Sequence, residues 1–181
     1  MTLPKRHKPV FQASAVLASC WLVACATPAP EPTLPPLLQA PAGDTFALLV
    51  PARGVQIYEC REAATGMAWA FVAPEAQLFD TSGKLIGQHG AGPHWQALDG
   101  SRIVGTVRQR ADAPVAAAIP WLLLSTKAEG PAGVFSRVAS IQRINTVGGV
   151  APVDGCAAAD KGRQVRVPYT ADYRLFNAAR S

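Results

Sequence analysis

Gln164-Val165-Arg166-Val167-Pro168-Tyr169-Thr170-Ala171-Asp172-Tyr173-Arg174-Leu175-Phe176, near the C-terminus, alternates apolar and polar side chains almost without a break. Val165, Val167, Tyr169, Ala171, Tyr173 and Leu175 share one parity, and Arg166, Thr170, Asp172 and Arg174 share the other. Successive side chains of a strand point to opposite faces, so this period of two marks a strand with one buried and one solvated side. Pro168 falls on the polar parity and cannot donate a ladder hydrogen bond, which predicts a local edge or a bulge there.

The same texture runs upstream. Short apolar runs at residues 45–50, 55–60, 68–72, 76–80, 84–88, 94–98, 102–110, 121–126 and 134–145 are separated by turn residues. Asp99-Gly100 between two of these runs is the strongest hairpin signal, because both residues tolerate the positive φ of a tight turn, and Thr81-Ser82-Gly83 predicts another. Trp121-Leu122-Leu123-Leu124 is continuously apolar, as a strand covered on both faces would be. With Trp69, Phe71, Phe79 and Trp95 it makes the expected core. The 15 glycines and 16 prolines argue against a helical bundle, since neither residue is well tolerated inside helices. The fold class expected is all-β, an antiparallel sandwich or small barrel of roughly eight to ten short strands.

The first 42 residues read differently. Lys5, Arg6, His7 and Lys8 precede an uncharged, mostly apolar stretch over residues 10–23. That run falls short of the roughly twenty residues a membrane-spanning helix needs, and matches a secretory signal instead. Leu22-Val23-Ala24-Cys25 resembles a bacterial lipobox, whose cysteine becomes the acylated N-terminus; Leu17-Ala18-Ser19-Cys20 is the alternative. By the same resemblance, Ala26 after Cys25 permits sorting to the outer membrane. Residues 26–42 hold six prolines and one charge and read as a semi-rigid tether, unless Leu34, Leu37 and Leu38 pack on the domain. The expected organisation is a lipoprotein signal peptide over residues 1–24, a tether over 25–42 and one β domain over 43–181.

Cleavage removes three of the 17 basic residues, leaving fourteen against 12 acidic ones, or +2. The remaining cations are dispersed rather than gathered into a stripe, so no nucleic-acid partner is expected. Processing at Cys25 leaves Cys60 and Cys156, and two cysteines outside the cytoplasm predict one disulfide. Their spacing is not the Cys-x-x-Cys of redox catalysis, and two thiols alone do not complete a metal site.

His89 and His94 flank Gly90-Ala91-Gly92-Pro93, the most function-like feature of the domain. Imidazole serves as base or ligand near neutral pH, yet His89 could equally hold the glycine loop by a structural hydrogen bond. There is no G-x-S-x-G elbow, no H-E-x-x-H, no P-loop and no G-x-G-x-x-G turn. No cofactor or metal is expected.

Several of these stretches together resemble the DUF3455 family of uncharacterised secreted and envelope proteins. The matching residues are Gly54-Val55-Gln56-Ile57-Tyr58-Glu59-Cys60, His89-Gly90-Ala91-Gly92-Pro93-His94-Trp95, Asp99-Gly100-Ser101, Ile119-Pro120-Trp121-Leu122-Leu123, Ile141-Gln142-Arg143-Ile144-Asn145-Thr146, Gly148-Gly149, Cys156 and Tyr169-Thr170-Ala171-Asp172-Tyr173. The resemblance implies an all-β secreted domain with Cys60 bonded to Cys156 and no established activity. It also points to His89, Trp95, Asp99 and Arg143 as the candidate binding or catalytic residues. The expectation is therefore a lipid-anchored domain on the periplasmic face of the cell envelope, attached to the outer membrane, that binds or scaffolds an envelope protein or glycan. The competing expectation is a small hydrolase-like or metal-dependent enzyme using the His89 loop. Oligomeric state is left open.

Overall fold

A computed structural model describes residues 33–179; the signal segment, Cys20, Cys25 and the start of the proline-rich stretch lie outside the described residues. Eight strands follow in order: β1 Thr45–Ala63, β2 Gly66–Phe79, β3 Leu85–Gly90, β4 His94–Ala97, β5 Arg102–Ala111, β6 Trp121–Glu129, β7 Val138–Gly148 and β8 Gln164–Asn177. Each pairs antiparallel with the next, and β8 returns to pair with β1, closing a barrel. The all-β antiparallel expectation holds, and of its two architectures the strand pairing takes the barrel. Eight strands enclose an interior that side chains just fill, or that holds one small ligand.

Two pairs of expected short strands are continuous long ones, and both joins run through a proline. Pro51 lies where β1 pairs with β8 alone, since the ladder to β2 begins at Ala52↔Leu78, so the missing N–H costs no bond on that side. Pro74, opposite Gln56, sits beside a bulge where Ile57↔Ala73 is followed by Tyr58↔Phe71. Bulges and edges are where a sheet accepts proline. Pro168 obeys the same rule: the β7 ladder ends at Gly148↔Tyr169, leaving β8 a local edge beyond it.

The alternation in β8 places Tyr169, Ala171, Tyr173 and Leu175 in the buried core with Val50, Leu78, Trp95 and Ile103. The apolar run opening β6 divides by parity. Leu122 and Leu124 belong to the barrel interior, while Trp121 and Leu123 form an outer cluster with Ile144 and Leu38. Leu38 comes from a single 3-10 turn, Pro36–Leu38, and is fully buried. Gln142 Nε2 donates to its carbonyl at 2.7 Å, so the end of the proline-rich stretch is packed on the barrel wall. That cover is why both faces of β6 are apolar.

Three aromatics expected in the core are not there. Phe71 is 53% exposed, and Trp69 and Phe79 are half-buried, each under an arginine: Arg163 over Trp69 and Arg53 over Phe79. The β1–β2 ribbon runs past the short β3, whose ladder to β2 covers only Ala76 to Phe79, so the start of β2 pairs with β1 alone and has no strand on its other side. Trp69 Nε1 instead donates to the Asp154 carbonyl at 2.9 Å. This loop carries Cys156, which is bonded to Cys60 across 96 residues with Cα atoms 5.4 Å apart. The chain-entropy model puts the stabilisation from closing a loop of that length at about 4.7 kcal/mol.

A candidate ligand cavity inside the barrel

His89 ends up inside because β3 and β4 form a tight hairpin, pairing His89 directly with Trp95 and Gly90 with His94. Gly92 takes a φ of +100°, which turns the chain back between them. The His89 and Trp95 rings stack with centroids 4.3 Å apart, and Tyr173 of β8 meets both edge-on at 5.3 Å. Trp95 fits because β5 carries Gly105 behind it: a Cβ there would lie 2.8 Å from Trp95 Cζ3.

These three rings form one wall of a cavity of about 260 Å³ that Arg143 of β7 and Gln56 of β1 also line. Phe71, Val72, Val107 and Leu122 supply its apolar side, and Phe71 and Val107 remain about half exposed at its rim. Arg143 is held by two hydrogen bonds to the Pro120 carbonyl, from Nε at 3.1 Å and Nη2 at 2.8 Å. No carboxylate among the described residues forms an ion pair with it.

Burial dominates the ionisation of this site. His89 is 4% exposed, and desolvation pulls its pKa down to about 3, helped by the nearby Arg143 charge and opposed by a hydrogen bond to the His94 backbone. That bond runs from Nδ1 to the His94 carbonyl at 2.8 Å. A carbonyl only accepts, so Nδ1 carries the proton and Nε2 is a bare acceptor. Burial likewise raises the Tyr173 and Tyr169 hydroxyls, with the Arg143 charge acting in the opposite sense. Tyr58, also raised by burial, donates to the Gly149 carbonyl at 2.6 Å.

Of the four site residues expected from sequence, the fold brings His89, Trp95 and Arg143 together and leaves Asp99 elsewhere. Asp99 is a turn residue: its carboxylate accepts from the Ser101 amide, the Ser101 hydroxyl and the Val134 amide. Those bonds hold its pKa below the usual range, the Ser101 hydroxyl contributing most. Gln56 and Tyr173 line the cavity without a sequence signal that assigns them to it. Gln56 is readable in hindsight as a polar residue on the inward parity of β1, between Ala52 and Cys60. Among the described residues no three His, Cys, Asp or Glu side chains gather as metal ligands.

A closed antiparallel barrel with an apolar chamber and a few inward polar groups is the class of protein these observations define. The chain belongs to the family described as a protein of unknown function, DUF3455, whose model matches residues 41–177. No curated protein and no solved structure matches it.

Proposed function

We propose that the protein is a lipid-anchored β-barrel of the cell envelope that binds a small, largely apolar molecule in its interior rather than transforming one. The cavity bounded by His89, Trp95, Arg143 and Tyr173 carries this reading. A general base works best with a pKa near the operating pH, and His89 at about 3 stays neutral, bonded to its own hairpin. That favours binding over the hydrolase-like alternative. The anchor, the periplasmic face and the outer-membrane destination rest on the resemblance of the stretch ending in Cys25, or alternatively Cys20, to a lipobox, and an envelope protein or glycan remains the proposed macromolecular partner.

Two measurements test the proposal. NMR titration with toluene is expected to give saturable shifts at Phe71, Val107 and Leu122; shifts that never saturate, or none, would remove the binding reading. Mass spectrometry of membrane-extracted protein is expected to find an acylated N-terminal cysteine. An unmodified soluble mature form would remove the anchor.

A further inference from the structure

Two residues that line the cavity carry a donor that meets no acceptor. Trp95 Nε1 and Gln56 Nε2 are buried with no acceptor among the described residues, although the residues are only 1% and 3% exposed. The Gln56 side chain approaches the Tyr169 hydroxyl, but its amide nitrogen does not complete a hydrogen bond there. Buried donors left unmet are rare in folded proteins and call for an explanation at each occurrence. Arg143 adds a positive charge with no carboxylate bound to it, and no Asp or Glu lines the chamber. Three residues that line one chamber thus carry N–H groups with no carboxylate beside them, and a low dielectric strengthens the attraction of the Arg143 charge for an anion.

We infer that the chamber takes a medium-chain carboxylate, its head among Arg143, Gln56 and Trp95 and its tail against Phe71, Val107 and Leu122. This rests on the binding reading above and adds the ligand's charge. An engineered apolar cavity of 150 Å³ accepts benzene, so a chamber of 260 Å³ holds about ten non-hydrogen atoms. Octanoate has that size. The half-exposed Phe71 and Val107 make the rim greasy enough to pass an alkyl chain. His89, which also lines the chamber, has an unprotonated Nε2 that would serve an alcohol instead, which makes octanol the fair competitor.

Isothermal titration of the oxidised protein with octanoate, octanol and octylamine separates the possibilities. Octanoate is expected to bind at least about ten-fold more tightly than octanol, equivalent to about 1.4 kcal/mol, with octylamine weakest. Octanol binding as well as octanoate would overturn the carboxylate assignment while leaving the chamber a binding site. Binding of none of the three would overturn both. In Arg143→Gln, octanoate is expected to fall to the level of octanol while octanol is unchanged. Because Arg143 also holds Pro120, Gln56→Leu provides an independent arm: it is expected to weaken octanoate about three-fold and spare octanol. Octanoate affinity unchanged in Gln56→Leu and in folded Arg143→Gln would reject the head-group placement.

Discussion

Acidification tests the burial of His89 directly. The unfolded chain's imidazole takes a proton near pH 6.5, whereas the folded one holds out until about 3. Between those values the unfolded state binds the extra proton, so stability is complete above about 6.5 and drains away as the pH falls toward 3. Integrating that difference from pH 7 to pH 5 gives a loss of about 2 kcal/mol. Of the groups around the ring, only the His94 carbonyl favours the charged form, and burial together with the Arg143 charge outweighs it. Carboxylates held low by their partners, such as Glu59 and Glu75, also oppose acid, but only as the pH falls through and below their ordinary value of 4.5. The window from 7 to 5 therefore isolates the histidine. Urea unfolding of the oxidised protein at pH 7, 6 and 5 measures it, with His89→Phe as the non-titrating comparison that keeps a ring over Trp95. The variant will be less stable at pH 7, having lost the bond to His94, but its profile is expected to be flatter by about 2 kcal/mol. Parallel profiles for the two proteins would refute a buried neutral imidazole.

Three further outcomes are expected. Reducing the Cys60–Cys156 bond should cost about 2–5 kcal/mol in denaturant unfolding; an unchanged midpoint would mean that the bond does not constrain the unfolded chain. Leu38→Ala should cost about 2–5 kcal/mol, since the side chain is fully buried against Trp121 and Leu123; a neutral result would place the proline-rich end off the barrel. Gly54→Ala drives a Cβ into the backbone of Glu75 and Ala76, which no rotamer change relieves, so the melting temperature should fall sharply; an unchanged value would contradict the β1–β2 register.

The sheet was legible where side-chain parity carried the signal. The alternation through Tyr169, Ala171, Tyr173 and Leu175 is buried as expected, and Asp99-Gly100 turns β4 into β5 with Gly100 at a φ of +86°. Strand ends were not legible at Pro51 and Pro74, because whether proline breaks a strand depends on which neighbour is missing beside it. Trp69 and Phe71 have the composition of core residues, and only the shortness of β3 leaves them outside. For the site, the glycine-proline hairpin led to His89 and Trp95. Asp99 shares their neighbourhood in sequence but is spent on its own turn, a use that local spacing does not distinguish from catalysis. Gln56 and Tyr173 come from opposite ends of the chain and meet only on closure, so no local pattern joins them to His89.

The seam of the barrel joins the first strand to the last, from Thr45↔Asn177 to Glu59↔Gln164. A polypeptide delivered N-terminus first therefore cannot seal itself until its final staves arrive, and until then its greasy lining faces outward on an unrolled sheet. Cys156 emerges ahead of Gln164, so the covalent clasp can be fastened while the seam still gapes. Most of the contacts are made between distant parts of the chain, which favours slow maturation and a need for protection on the way. A premature stop between Cys156 and Gln164 would not yield a smaller barrel; it would leave a clasped but open sheet.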